Sequence, residues 1–391
     1  MTDTAHLFLN ALVWGSALLL GYAYVGYPAL IWALARFRSA RVRRTLDEPL
    51  VSVLVVAHNE AAQISGRIEN LLALDYPADR LEIVLASDGS TDATVELARA
   101  WEPAGVSVTA FEARRGKAAV LNDLVLKARG EIAVLADARQ RFDPGAIRAL
   151  VQPFGDPRVG AVSGELVLTT GPEGTAVGHG VGFYWRYEKF IRRHESDVDS
   201  TIGVTGAVYA IRRDLFEPIA EDTILDDVLI PLQLSRRGYR VLFEPAARAW
   251  DRAPASAREE FARKVRTLAG NFQLFARERW LLVPARNRLW LQVVSHKGVR
   301  LLAPLFHAAA FLATLPLTSA ASRCFLLAQV AFYTAALGGY VFRNAKRRTP
   351  LLALPYVVCL LNWATVVGFV RFMTGRQRVT WERVGARESA P

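Results

Sequence analysis

Residues 7–35 contain no charged side chain. A helix needs about 20 apolar residues to cross the hydrocarbon core of a bilayer, so this run predicts a membrane-spanning helix near the N-terminus. It is too long for a cleavable signal peptide and lacks the basic start of one. Arg36, Arg38, Arg41, Arg43 and Arg44 follow at once. By the positive-inside rule they put this end in the cytoplasm and the N-terminus outside. Three more uncharged runs, Leu301–Ser322, Cys324–Phe342 and Thr349–Val370, have roughly spanning length. Lys346, Arg347 and Arg348 form a basic loop between the last two. Three spans after a cytoplasmic domain would leave Arg371, Arg376, Arg378 and Arg383 outside, against the same rule. One apolar segment is therefore expected to be re-entrant, or the first run to be other than a simple span.

The net charge is +11. Such a balance fits nucleic acid, anionic lipid or a phosphorylated substrate. No helix-turn-helix, zinc-finger or RNA-recognition pattern accompanies it, so nucleic acid is set aside and the bilayer and phosphate are favoured. The two cysteines, Cys324 and Cys359, lie in apolar runs and form neither a disulfide framework nor a CxxC metal site.

Residues 46–285 read differently from the flanks, 1–45 and 286–391. Short β-branched runs alternate with longer helical patterns, which predicts βαβ units and a mainly parallel sheet. The runs 51–56, 81–86 and 132–136 are strands. They end in polar clusters: Ala57-His58-Asn59-Glu60, Ser87-Asp88-Gly89-Ser90, and Asp137-Ala138-Arg139. Ligands of open parallel sheets bind beyond the carboxyl ends of the strands, so the three clusters outline one crevice. Each alone also reads as a helix cap or turn. Arg114-Arg115-Gly116-Lys117, before a helix, suits a phosphate or a solvated basic turn.

Further on, Asp226 and Asp227 sit side by side in an apolar run. Two adjacent ionised carboxylates are costly to bury. They fit either a helix N-terminus, where the dipole favours acids, or acid/base work.

Taken in order, VVAHNE, ASDGSTDAT, RRGKAAVLN, LADAR, YWRYEKFIRR, TGAVYAIRRDLF and LDDVLIPLQLSRRGYRV resemble a family 2 glycosyltransferase of the membrane-embedded, polysaccharide-synthase type. The group includes cellulose, hyaluronan, chitin and poly-N-acetylglucosamine synthases. The resemblance implies an α/β GT-A fold, a doubly wound nucleotide-sugar domain flanked by transmembrane helices. It implies inverting transfer from a nucleotide sugar, a UDP-sugar by family habit, with Mg²⁺ or Mn²⁺. The acceptor is a growing surface polysaccharide or, alternatively, a lipid carrier or glycolipid; a catalytically silent membrane subunit is the remaining alternative. The family setting implies a bacterial inner membrane. By carry-over, Ala57, Asn59, Glu60, Asp88 and Lys117 serve the donor. Asp137 holds the metal, Thr205 and Gly206 form an acceptor-side turn, and Asp227 is the general base with Asp226 beside it. Independently of the family, inversion needs a base on the acceptor side and charge stabilisation at the departing diphosphate, hence two acidic sites.

Two departures stand out. Arg139 occupies the place of the metal motif's second aspartate. It leaves three options: a metal held by Asp137 and phosphates, a guanidinium on the diphosphate, or a side chain turned away. Arg263-Lys264-Val265-Arg266-Thr267 stands where processive synthases carry Gln-x-x-Arg-Trp. Arg266 matches the arginine near the diphosphate, Arg263 replaces Gln, and Thr267 replaces the tryptophan of the acceptor platform. The same stretch reads as an amphipathic helix on lipid, with Phe261, Val265, Leu268 and Phe272 at helical spacing, and 287–297 as an interfacial helix. Phe183, Tyr184 and Trp185 suit the face of an acceptor sugar or a core. The glycine-rich 169–182 is expected to be a mobile loop.

Overall fold

The computed structural model describes residues 2–38, 40, 42–169, 176–252, 257–342 and 350–380. Expectations that rest on 170–175, 344–348 and Arg383 lie outside these residues.

Helix α1 (Asp3–Phe37) is continuous, with one π-turn at Tyr22–Gly26. The central domain follows as β1 (Val51–Ala57), α2 (Ile64–Leu72), β2 (Leu81–Asp88), α3 (Thr94–Arg99), β3 (Val106–Phe111), α4 (Lys117–Lys127), β4 (Ile132–Asp137) and β5 (Arg141–Phe142). It continues with α5 (Ala146–Val151), β6 (Val159–Thr169), α6 (Ala176–Val198), β7 (Val208–Arg212), α7 (Asp226–Arg236), β8 (Arg240–Arg252) and α8 (Ala257–Arg277). The chain ends in α9 (290–314), α10 (Ala320–Val341) and α11 (Pro350–Met373).

One eight-stranded sheet has the order β3-β2-β1-β4-β7-β6-β8-β5. The first four strands are parallel, as the alternation of short strands and helices predicts. The other half is mixed, because β7 runs antiparallel to both β4 and β6, and β5 antiparallel to β8. Every residue of β1 is buried, as a strand covered on both faces must be. Leu54 and Val56 face the core shared with α4 and α7, while Val53 and Val55 face the one shared with α2 and α5. That split is the two-residue period of a strand.

Helices α1, α10 and 351–373 of α11 are long and apolar enough to cross a membrane. The sequence expectation of three C-terminal spans is corrected at α9. Its chain turns at 315–319, and Lys297 and Arg300 lie in its domain-side part. Val13 of α1 packs on Ala313 and Leu317, whereas Tyr22 bonds Ser295 (2.7 Å). The two helices are therefore antiparallel. α10 turns back along α9, with Gln329 near Thr314 and Tyr333 against His307. α11 instead lies along the domain. Tyr356 and Val357 pack on Leu168 and Trp185, and Phe369 and Phe372 meet Phe272 of α8. At Gly368 an added Cβ would lie 3.0 Å from the Ala269 amide, so a larger residue would push the two helices apart by a few tenths of an ångström. The apolar stripe of α8 thus faces protein where the sequence left lipid as its partner. The expected loop at 169–182 is also revised, since α6 begins at Ala176. The expected interfacial helix at 287–297 starts at Trp290 and continues into α9.

Candidate active site

The carboxyl ends of β1, β2 and β4 converge, and beside them lies a cavity of about 1930 Å³. Its lining runs from Glu60, Lys117 and Asp137 past Asp226 and Asp227 to Tyr24 and Leu361 on the membrane-side helices.

At the first strand end, Asn59 has φ +53°, the sole non-glycine among the described residues with positive φ. Asparagine tolerates this conformation, and here it is held: Asn59 Oδ1 accepts from the Thr91 amide at 2.8 Å. Asn59 thereby ties the β1 turn to the β2 turn. Glu60 is buried and lines the cavity, whereas Ala57 is enclosed in the core. Asp88 is fully buried. Its Oδ1 accepts from the Arg115 amide (2.6 Å) and its Oδ2 from the Gly116 amide (2.9 Å). Both carboxylate oxygens therefore shape the turn before α4 and do not face the cavity. That turn requires Gly116, whose φ is +94°.

The turn sets Lys117 at the start of α4. Lys117 Nζ is 2.7 Å from Asp137 Oδ1 and 3.7 Å from Asp226 Oδ2. Burial alone would lower this ammonium, but Asp137 and then Asp226 raise it above the usual lysine range. Asp226 and Asp227 open α7, where the helix dipole favours them, and both line the cavity. The pair therefore opens the helix, as the capping reading expects, and also borders the cavity. The two carboxylates part in their neighbours. Asp226 is buried and turned to Lys117, with Oδ2 lacking a hydrogen-bond partner. Asp227 faces Gly206, where an added Cβ would lie 3.1 Å from Asp227 Oδ2. Burial, then the charge of Asp226, pushes Asp227 up to about 6. Gly206→Ala is expected to displace that carboxylate by a few tenths of an ångström and slow turnover roughly tenfold, with donor affinity unchanged; steady-state kinetics against donor concentration checks this.

Arg139 has its Nη2 3.5 Å from Asp251 Oδ2, an oxygen that also accepts from Gln140 (2.7 Å). It still lines the cavity. Arg263 lines it as well. Arg266 is tied down, donating to the Ile224 and Val379 carbonyls at 3.3 Å each. This brings the 376–380 segment to the cavity beside Gly116, a contact with no motif to signal it. On the other side Thr205 takes a hydrogen bond from Arg192 (2.9 Å), and its amide donates to Ser163 (3.0 Å). Tyr184 and Trp185 line the cavity under Lys264, whose Nζ is 4.2 and 5.6 Å from their ring centroids.

Sequence reasoning missed a polar cluster between α1, α6 and α9. His296 is held at Nδ1 by Glu195 and at Nε2 by Glu188, 2.9 Å each. Arg300 bonds the other Glu188 oxygen, and Tyr27 donates to Glu195 (2.6 Å). Burial alone would raise Glu188, but Arg300 and then His296 hold it well below the usual carboxylate range. Lys297, next to His296, opens on the cavity. Burial, then the like charge of Arg192, pulls its ammonium down to about 8. Glu188 and Arg192 lie in the YWRYEKFIRR motif and His296 and Lys297 in the stretch read as an interfacial helix, but neither pattern signalled their pairing.

Residues 52–219 match the model described as Glycosyl transferase family 2. Among curated relatives, the probable glycosyltransferase YdaM of Bacillus subtilis is 25% identical over 241 residues, 57% of this chain and 55% of that protein. Poly-beta-1,6-N-acetyl-D-glucosamine synthase of Staphylococcus aureus is 25% identical over 234 residues, 58% of this chain and 56% of its own. Beta-monoglucosyldiacylglycerol synthase of Nostoc sp. is 32% identical over 170 residues, 42% and 36% of the two chains. The chain thus spans about half the length, or less, of these curated relatives. Mannosyltransferase PcManGT from Pyrobaculum calidifontis, solved in complex with GDP-Man and Mn2+, superposes with a TM-score of 0.71. It is 23% identical, and the match covers 94% of this chain and 99% of that one; this likeness carries the fold. The matched family stretch ends at Ile219, before Asp226 and Asp227, so that pair rests on geometry and motif order. Sheet, strand-end crevice and sequence match agree: the chain is built around a glycosyl transferase family 2 domain on a GT-A fold, between helices long and apolar enough to cross a membrane.

Proposed function

We propose that the protein is an inverting glycosyltransferase that moves a sugar from a nucleoside-diphosphate donor to an acceptor held at the membrane. The observation that carries this reading is the division of the acidic pair. Asp226 turns to Lys117, which also holds Asp137, whereas the Asp227 carboxylate packs against Gly206. One displacement at the anomeric carbon needs such a division, because base and leaving group stand on opposite faces of the sugar. The acceptor hydroxyl oxygen bonds the anomeric carbon and its proton passes to Asp227. The bond from that carbon to the diphosphate breaks, and its electron pair leaves on the nucleoside diphosphate. Arg263, which lines the cavity and makes no ion pair among the described residues, is assigned to the departing diphosphate. Asn59, Glu60 and Asp88 serve the nucleotide, Asn59 and Asp88 by fixing the turns around it. A uridine nucleotide is the expected donor.

The residues fit a hard divalent cation. Asp137 and Asp226, whose Oδ2 accepts no hydrogen bond, both lie near Lys117 Nζ, and no group of three such ligands occurs among the described residues. Mg²⁺ or Mn²⁺ held by few carboxylates and completed by phosphate oxygens matches that donor set. When bound, it supplies charge stabilisation to the departing diphosphate. Excess chelator is expected to abolish transfer and added Mn²⁺ to restore it; undiminished turnover in chelator sinks the metal assignment.

A lipid-linked acceptor is favoured, because the cavity continues onto Tyr24 and Leu361 of helices long enough to span a bilayer. A polysaccharide acceptor is the second reading, carried by Tyr184 and Trp185 in the same cavity. α9 lies antiparallel along the apolar half of α1 and α10 turns back along α9, which supports a C-terminal helix bundle beside α1. Membranes holding the full chain, supplied with labelled nucleotide sugars, are expected to give organic-extractable label. Water-soluble polymer favours the second reading, and no transfer from any donor favours a silent subunit.

A further inference from the structure

On the membrane side of Asp227, most cations are already neutralised. Lys189 pairs with Glu165, Lys264 with Glu260, and Arg300 with Glu188. Glu188 and Glu195 are spent on Arg300, His296 and Tyr27. Among the described residues, Arg192 and Lys297 have no carboxylate within ion-pair range, and both line the cavity. Arg192 donates one hydrogen bond, to Thr205, the residue before Gly206. Two sheltered cations facing one cavity with no carboxylate in ion-pair contact, offset only by the longer-range charges of Asp227, Glu188 and Glu195, are costly. Such an arrangement persists where an anion completes it. Arginine and lysine together suit phosphate, the first as a fork and the second as a point charge. The walls beyond them, Tyr24, Leu301, Val358 and Leu361, are mostly apolar and belong to the membrane-side helices.

We propose that Arg192 and Lys297 form an anion site for the phosphate of a lipid-phosphate-linked sugar, the acceptor of the transfer. The proposal rests on the glycosyltransferase reading above and narrows its acceptor class. The phosphate itself is not the nucleophile. A phosphate oxygen brings no proton for Asp227 to take and would be repelled by that carboxylate once ionised. The phosphate sits on the cations, its sugar reaches Asp227, and its lipid chain runs out along the apolar wall.

The test uses the full chain in detergent, carrying Asp227→Asn to stop turnover, and reads direct binding by calorimetry. The probes are a short prenyl phosphate, the matching prenyl alcohol and inorganic phosphate. Prenyl phosphate is expected to bind roughly 10- to 100-fold more tightly than the alcohol, the range of a charge-assisted hydrogen bond. Adding Lys297→Gln is expected to erase most of that preference while leaving alcohol binding and nucleotide binding in place. Arg192→Lys, which keeps the charge and loses the fork, is expected to give an intermediate loss. Equal binding of alcohol and phosphate overturns the proposal. Inorganic phosphate binding as tightly as the prenyl phosphate overturns its lipid part. With Asp227 intact, a sugar on a prenyl phosphate is expected to accept label at least roughly tenfold better than the same sugar on an uncharged alkyl chain. Efficient transfer to the uncharged glycoside overturns the anionic acceptor while leaving the parent function standing. Absence of transfer to both, with prenyl phosphate still bound through Lys297, overturns the parent function.

Discussion

Asp227→Asn is expected to lower transfer by about 10²–10⁴-fold, the range of a lost general base, while donor binding stays unchanged. The amide keeps the shape of the carboxylate and cannot take the acceptor's proton. Wild-type turnover should carry the same signature in its pH dependence. With the carboxylate pushed up to about 6, it is protonated and inactive below that pH. The rate is expected to rise about tenfold per pH unit below 6 and to level off above it. The stability sign is opposite. A carboxyl group whose folded pKa exceeds its unfolded value favours the folded state below the unfolded pKa, near 3.8, and loses that contribution as pH rises to about 6. At neutral pH the folded protein therefore carries the cost of an ionised, sheltered Asp227. Asp227→Asn should relieve it and raise the thermal midpoint, by about 2–4 °C for each 1 kcal/mol gained. A variant that loses activity and melts lower would speak for a structural role instead.

Glu188→Ala is expected to destabilise the protein by about 3–5 kcal/mol, read as a loss of thermal midpoint in detergent. The substitution leaves Arg300 and one nitrogen of His296 sheltered without their carboxylate. A surface pair such as Arg80–Asp79, 54% and 82% exposed, offers at most about 1 kcal/mol by comparison. Most of the predicted loss is the penalty for the stranded charge and not the worth of the pair. Glu188→Leu combined with Arg300→Met should therefore recover much of the stability. If the double variant melts as low as Glu188→Ala, the cost is one of shape. Acceptor use should fall in either case, because the cluster joins α6, which carries Arg192, to the segment that carries Lys297.

The parallel half of the sheet was legible in the sequence because 51–57, 81–88 and 132–137 are buried on both faces and stop at polar turns. The mixed half was not. β7 and β8 take their direction from long connections, and no local periodicity encodes them. At the site, the strand-end residues and the acidic pair stood out because their chemistry is expensive in an apolar setting. The roles within them were less visible. Asp88 resembles a base-reading residue in motif order, yet its two oxygens hold backbone amides. Lys297 and Arg192 were hidden because their meaning depends on which carboxylates nearby are already taken. That is a property of the packed cluster and absent from the run of residues.

The continuity of α1 has a mechanical consequence. Its first half is the apolar span and its second half is clamped to the domain, with Tyr27 and Ile31 buried against Ile191 of α6. At 35 residues it is about 52 Å long, so the half that crosses the hydrocarbon, about 30 Å thick, and the clamped half turn as one rod. Hydrophobic mismatch is relieved by tilting such a rod. A tilt of α1 carries α6 with it, and α6 bears Tyr184, Trp185 and Arg192. Bilayer thickness is thereby expected to act, as a lever acts on its load, on the cavity wall that α6 lines.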